Sequence, residues 1–131
     1  MKKVTLMMEE YNVEYMLDIV VKYRLELMED ESEFSERYRD SLSNTGYLLE
    51  LIKAEYKGLG ANEEIAVTFD IESYLNLFDI LAHRIDALNQ SIIKAIRLSD
   101  EETVANYERE MSICKKLYNQ VNEIRFKVLH L

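Results

Sequence analysis

The chain has 131 residues, 48% hydrophobic and 31% charged, which is long enough to bury a core beneath a well-solvated surface. Its 25 acidic and 16 basic residues give a net charge of −9, which argues against direct binding to nucleic acid or to anionic membranes, since both rely on Lys and Arg. The chain has no proline and only three glycines, a composition that favours long helices over a turn-rich β fold.

The first predicted elements are a short extended segment over residues 4–8 and a helix over about 9–29. Apolar residues spaced three and four apart mark one face of this helix, with Tyr15 and Ile19 beside it. The face consists of Val13, Met16, Leu17, Val20, Tyr23 and Leu27.

A second helix is predicted over about residues 34–56. Its apolar stripe keeps its phase across Gly46, so we expect one continuous helix despite the glycine. The stripe consists of Phe34, Tyr38, Leu42, Thr45, Leu49, Ile52 and Tyr56. Gly58 and Gly60 are suited to ending the helix because glycine readily takes the left-handed conformation of a C-cap.

The second half of the chain predicts an extended segment near residues 67–71 and helices over about 71–98 and 100–130. Ser99, with Glu102 three residues later, has the spacing of a capping box at the start of the last helix. The stripe of the third helix consists of Tyr74, Phe78, Leu81, Ile85, Leu88, Ile92 and Ala95. The stripe of the fourth consists of Val104, Tyr107, Met111, Cys114, Leu117, Val121, Ile124, Val128 and Leu131.

The two halves resemble each other. The segment 4–11 aligns with 67–74 at an offset of 63 residues, from Val4 to Val67, and acidic pairs at Asp30 and Asp100 precede the second helix of each half. These features indicate two strand–helix–helix units, residues 1–60 and 64–131, unless such entries into helices simply share their composition. The predicted fold is a single domain, 1–131, mainly α and four-helix bundle-like, with a minor two-stranded β element.

Few residue patterns point to chemistry. His83, with Asp79 and Asp86 on the same helix, has spacing that could hold a metal, but it lies off the core stripe, so a surface ion-pair cluster is favoured. Cys114 lies on an apolar stripe, which favours core packing, and a lone cysteine fits a cytoplasmic protein. We expect no enzyme, no cofactor and no metal, since no phosphate loop, nucleophile motif or zinc motif occurs.

An acidic stretch with tyrosines near it is the best candidate for a partner-binding surface. Carboxylates attract basic partners, and exposed tyrosines often anchor interfaces. The alternative is an ordinary solvated loop and helix start. The candidate residues are Glu29, Asp30, Glu31, Glu33, Glu36, Asp40, Tyr23 and Tyr47.

The opening sequence KKVTLMMEEYNVEYML resembles the starts of small acidic accessory proteins of bacteriophages and mobile elements of low-GC bacteria, of the anti-defence and anti-CRISPR type. The resemblance covers about sixteen residues and transfers no functional residue. It implies an accessory protein that binds a host protein and inhibits or redirects it.

Three functions are compatible with these features. The leading one is a non-enzymatic protein-binding module, an inhibitor that covers a basic, nucleic-acid-binding surface of its target with an acidic, tyrosine-bearing face. The alternatives are a self-associating helical scaffold, which uses a second apolar face such as Tyr15 with Ile19 or Ile80 with Ile93, and a metal- or small-ligand-binding bundle. The expected partner is a basic protein, without direct nucleic-acid or membrane binding, and a homodimer is compatible with the sequence.

Overall fold

The computed structural model describes residues 3–29, 44–48, 50–53 and 64–124. In chain order it contains β1 (Lys3–Glu9), α1 (Glu10–Glu29), helical residues 44–48 and 50–53 that we label α2, β2 (Glu64–Asp70), α3 (Ile71–Arg97) and α4 (Glu101–Glu123). The predicted fold class, mainly helical with a small two-stranded sheet, is confirmed. Helicity at 44–48 includes Gly46, whereas the predicted ends of α2 fall outside the described residues. The fourth helix ends at Glu123, with Ile124 as its C-cap, so the predicted end near residue 130 is wrong, and residues 125–131 lie outside the described residues.

The sheet pairs β1 with β2 in antiparallel register, with Lys3 opposite Asp70, Leu6 opposite Val67 and Glu9 opposite Glu64. Every second residue of β1 is buried, because successive side chains of a strand point to opposite faces. On the exposed face, the hydroxyls of Thr5 and Thr68 form a hydrogen bond of 2.9 Å. The sheet therefore has one apolar face and one polar face.

The described residues belong to two compact units, Met1–Leu77 and Phe78–His130, which divide within α3. In the first, α1 buries Val13, Met16, Ile19 and Val20. The prediction that placed Ile19 beside the apolar face is wrong, because Ile19 is buried while Leu17 is half-buried. Gly46 of α2 lies against Arg24 of α1, whose guanidinium occupies the space that a Cβ atom would need.

In the second unit, α3 and α4 form an antiparallel helical hairpin. Three contacts run along it: Arg84 with Glu110, Leu81 with Cys114, and Phe78 with Tyr118, whose ring centroids are 4.9 Å apart. Each step of three residues back along α3 matches four residues forward along α4, as ridge-into-groove packing of helices requires. The buried residues here include Leu81, Leu88, Met111, Cys114, Leu117 and Val121.

Both strands continue into a helix without a loop, and the two strand–helix segments share one burial pattern. Their bounds match at an offset of 61 residues, from Lys3 to Glu64. At that offset the four buried residues of α1 correspond to four buried residues of α3, namely Tyr74, Leu77, Ile80 and Leu81. The predicted offset of 63 is therefore wrong by two residues, since it aligned Tyr11, which is exposed, with the buried Tyr74.

The burial of α3 also differs from its predicted stripe. Leu77 and Ile80 are buried although neither was assigned to the core, and Phe78, Ile85 and Ile92 are only half-buried. The apolar face of α3 is therefore rotated toward Leu77 and Ile80. No helix among the described residues is sufficiently long and apolar to cross a bilayer.

Candidate functional site at the α3–α4 turn

The turn between α3 and α4 is built by a Schellman motif. The N–H of Asp100 donates to the carbonyl of Ala95 at 3.0 Å, and the N–H of Ser99 donates to that of Ile96 at 3.0 Å. Ser99 adopts a φ of 55°, the left-handed conformation that usually favours glycine at this position. The motif ends α3 abruptly and lets the chain reverse within three residues.

Asp100 then caps α4. Its carboxylate accepts the Thr103 N–H at 3.2 Å and the Thr103 hydroxyl at 2.7 Å, and these two bonds lower the pKa of Asp100, the hydroxyl contributing most. The predicted capping box of Ser99 and Glu102 is wrong, because the left-handed backbone of Ser99 commits that residue to the end of α3. The cap lies one residue later.

Exposed apolar side chains surround this turn. Ile96 is 59% exposed and Leu98 79% exposed, and Ile93, one turn earlier on α3, is 50% exposed. Beside them lies a depression of about 370 Å³, lined by Ile96, Ser99, Asp100, Glu101, Val104, Ala105 and Glu108. We call this depression, together with Ile93 and Leu98, the turn surface.

The turn surface is apolar at its base and acidic at its rim. Asp100, Glu101 and Glu108 supply three carboxylates, and no described residue that lines the depression is basic. The bases nearest in sequence, Lys94 and Arg97, lie on the last turn of α3 outside that lining. Such a surface can accept an apolar side chain and, around it, the cationic ends of Lys or Arg residues.

A second depression, of about 340 Å³, lies along the side of the α3–α4 hairpin. It is lined by Ala82, Ile85, Lys115, Tyr118 and Asn119. Among the described residues that line it, the single charged group is basic and none is a carboxylate, so this lining differs in chemistry from that of the turn surface.

The sequence-predicted site is only partly within the described residues. Glu29 is exposed at the end of α1, Tyr23 is half-buried on α1, and Tyr47 is 57% exposed on α2. The remaining predicted residues, Asp30, Glu31, Glu33, Glu36 and Asp40, lie outside the described residues.

The described end of α1 also exposes apolar side chains. Val21, Leu25 and Met28 are 38%, 52% and 56% exposed, and their spacing of four and three places them on one face. Glu26 and Glu29 are exposed on the same turns of the helix. We call these five residues the α1 surface; its last residue, Glu29, is also the first residue of the predicted acidic stretch in the sequence.

Tyr47 belongs to a polar cluster around Asp70. Its hydroxyl donates to the Asp70 carboxylate, and the negative charge of that carboxylate raises the pKa of Tyr47. The Ser73 N–H donates to Asp70 at 2.7 Å and is the main cause that lowers the pKa of Asp70, with Lys3 contributing. Asp70 thus caps α3 as Asp100 caps α4, and it also accepts a hydrogen bond from Tyr47 of α2.

Other residues considered from the sequence carry no site among the described residues. No group of three His, Cys, Asp or Glu side chains that could hold a metal occurs in the described ranges, and Asp79, His83 and Asp86 are all exposed on α3. Cys114 is fully buried, with its sulfur 3.8 Å from the Leu81 carbonyl oxygen, as core packing requires. Arg84 pairs with Glu110 through two bonds of 2.7 and 2.8 Å.

Each of the two helical faces that the sequence suggested for self-association contains one residue that is buried, so that part of each prediction is wrong. Ile19 is 1% exposed and Ile80 is 3% exposed, so both belong to the core. Tyr15 is half-buried, and Ile93 is the only one of the four that is exposed.

Comparison with known proteins assigns no family: no protein-family model, no curated protein and no solved structure matches the chain. The turn surface was also missed by sequence reasoning, which placed the site near residue 30. A signal was present, since Ile93 and Ile96 each directly follow a stripe position, Ile92 and Ala95, and precede the acidic run that starts at Asp100.

Proposed function

We propose that this chain is a non-enzymatic protein-binding module whose turn surface docks a basic, amphipathic segment of a partner protein. The observation that carries the proposal is the combination of large exposed apolar side chains, Ile96 and Leu98, with a depression rimmed by three carboxylates. Exposed apolar patches with polar rims mark interaction sites on soluble proteins.

The apolar and the acidic side chains of the turn surface have different roles in the proposed binding. Burial of Ile96 and Leu98 against an apolar partner residue supplies non-directional free energy, on the order of 25 cal/mol per Å² of apolar surface. The carboxylates of Asp100, Glu101 and Glu108 select Lys and Arg around that anchor and speed the encounter. The net charge of −9 extends the same attraction to the whole molecule.

The rigidity of the turn supports the proposal. The Schellman bonds and the Asp100 cap fix the backbone between Ala95 and Thr103, so few degrees of freedom are lost when a partner binds there. Leu98 has no buried role that explains an apolar side chain at 79% exposure.

The inhibitor suggested by the sequence is a specific form of this proposal. If the partner's basic segment is one that binds nucleic acid, the acidic rim occupies the cations that would contact phosphates. Complex formation and nucleic-acid binding by the partner are then mutually exclusive, which a competition assay measures with the isolated partner.

The experiment begins by capturing partners from the source cell on the immobilised full chain and purifying the dominant one. Its affinity is then compared for the wild type, for Ile96→Asp/Leu98→Asp on the turn surface, and for Val21→Asp/Leu25→Asp on the α1 surface as a matched control. We expect the turn variant to lose at least roughly tenfold in affinity and the control to keep the wild-type value, because buried anchors dominate interface energies.

Salt gives a second readout. Raising ionic strength tenfold shortens the Debye length roughly threefold, so wild-type binding should weaken while folding, followed by circular dichroism, is retained. Loss of affinity in the α1 variant with none in the turn variant would move the site to the α1 surface and refute the proposal. An affinity that changes neither with salt nor with the charge reversal Glu101→Lys/Glu108→Lys would refute the proposed role of the carboxylates.

A further inference from the structure

The two depressions of the α3–α4 hairpin lie along the same flank. Both helices line each of them: α3 contributes Ile96 to the turn depression, and Ala82 with Ile85 to the second. Exposed residues recur every seven positions along both helices here, and a seven-residue step returns to nearly the same side of a helix. These rows, which we call the hairpin flank, are Ala82, Asn89 and Ile96 on α3, and Glu101, Glu108 and Lys115 with Ala105, Ser112 and Asn119 on α4.

The hairpin flank is continuous between the two depressions. Asn89 and Ser112 are the middle residues of two of its rows, and both side chains are short and uncharged. A segment anchored in one depression can therefore lie close to the helices as far as the other. Lys115 follows Glu101 by fourteen residues, which is about 21 Å along α4 and about four helical turns.

We propose that the partner segment docked at the turn surface is a single helix, which runs along the hairpin flank and inserts a second apolar side chain into the second depression. This inference rests on the proposed function, because it specifies the segment that the turn surface binds. Neither α3 nor α4 offers a strand edge, so an extended segment buried against them would leave its own backbone N–H and C=O groups unpaired. A helix pairs those groups internally and packs its apolar face into a groove.

The charges along the hairpin flank determine which end of the docked helix lies at the turn. Glu101 and Glu108 line the turn depression, whereas Lys115 lines the second. The helix should therefore carry Lys or Arg at its turn end and Asp or Glu at the other, because complementary charges across an interface select partner and orientation. Its two apolar anchors should be separated by about eleven residues, or three helical turns, to match the separation of Ile85 and Ile96.

The first test reverses the charge at the second depression. The probe is the purified partner protein captured on the full chain, and its affinity is measured for Lys115→Glu and for the matched control Lys116→Glu. Lys116 is exposed on the same helix and is not among the described residues that line the depression. We expect Lys115→Glu to weaken binding roughly five- to tenfold, because one attraction becomes a repulsion, and Lys116→Glu to keep the wild-type affinity.

The second test fills the second depression. Asn119→Trp places a bulky ring where the second anchor of the partner should insert, and Asn106→Trp places the same ring about 140° around α4 as a control. Both asparagines are exposed, and circular dichroism shows whether each variant is folded. We expect a loss of at least roughly tenfold in affinity for Asn119→Trp and none for Asn106→Trp.

The outcomes separate this inference from the proposed function. If Ile96→Asp/Leu98→Asp loses affinity while Lys115→Glu and Asn119→Trp bind as the wild type does, the turn surface remains the docking site and the helix along the hairpin flank is overturned. If the turn variant keeps its affinity, the proposed function fails and this inference fails with it. The shortest proteolytic fragment of the partner that keeps its affinity should be helical by circular dichroism when bound, and a non-helical bound fragment would also overturn the inference.

Discussion

The β1–α1 and β2–α3 segments have the same inner pattern and different outer chemistry. Val13, Met16, Ile19 and Val20 of α1 match four buried residues of α3 at the 61-residue offset. The caps differ, since Asp70 before α3 accepts a hydrogen bond from the Ser73 N–H and also binds Tyr47, while the residue before α1 is Glu9. The two segments therefore share the spacing of their buried residues and differ at their exposed positions.

The difference continues along the helices. At the same offset Arg84, which binds Glu110, corresponds to Tyr23 on α1. The end of α3 then forms the turn surface, whereas α1 ends at Glu29, where the acidic stretch begins. Function in this chain is thus expected at positions where the two segments diverge.

The largest predicted effect tests the shared core. Met16→Ala and Leu77→Ala remove fully buried side chains at equivalent positions, so each should lower the free energy of unfolding by about 2–5 kcal/mol. Urea denaturation measures both. A loss well under 1 kcal/mol at one site but not the other would show that the two segments are not equivalent.

A smaller effect is expected for the ion pair of Arg84, whose equivalent position on α1 holds Tyr23. Arg84 and Glu110 are joined by two bonds, with side chains 21% and 23% exposed. A double-mutant cycle with Arg84→Met and Glu110→Gln should give a coupling free energy of about 1–2 kcal/mol, above the range of fully exposed pairs. A coupling near zero would mean that the pair does not help to hold the α3–α4 hairpin together.

The turn itself should become more stable when its strained residue is replaced. Ser99 adopts a positive φ, so Ser99→Gly should raise the free energy of unfolding by about 0.5–1 kcal/mol. Thermal unfolding measures the change, with Ser112→Gly, inside α4 and exposed, as a control that should destabilise. A destabilised Ser99→Gly variant would contradict the left-handed assignment.

The smallest effect concerns pH and the cap that distinguishes β2–α3. The pKa of Asp70 lies below its ordinary value of 3.8, so its contribution to stability is present above that pH and is lost as pH falls through the lowered value. Asp70→Asn keeps a capping side chain without the charge. The free energy of unfolding of this variant should therefore fall less than that of the wild type as the pH is lowered below 4. Denaturation at a series of pH values measures the difference. Equal pH profiles for the two proteins would remove Asp70 from the acid response.

Much of the fold followed from periodicity, and the failures have physical causes. The bounds of α1 and α3 were predicted to within a residue, because the three- and four-residue apolar spacing runs along almost the whole of each helix. The core of α3 was displaced because Leu77 and Ile80 compete with Phe78 and Ile85 for one face, and only packing decides between them. Single-residue shifts of caps, as at Ser99, depend on backbone conformation, which residue type alone does not determine.

The candidate site was harder to predict than the fold. Acidic residues are frequent in this chain and especially dense near residue 30, so charge density alone predicted a site there. The described lining of the turn depression has three acidic residues. What defines the turn surface is the exposure of Ile96 and Leu98, and exposure is a property of the folded chain.

Hydrogen–deuterium exchange of the chain alone and in complex with its captured partner tests the central claim most directly. Protection on binding should concentrate at residues 93–108, with residues 21–29 exchanging as in the free chain. Protection confined to residues 21–29, with the α3–α4 turn unchanged, would contradict the assignment of the turn surface as the docking site.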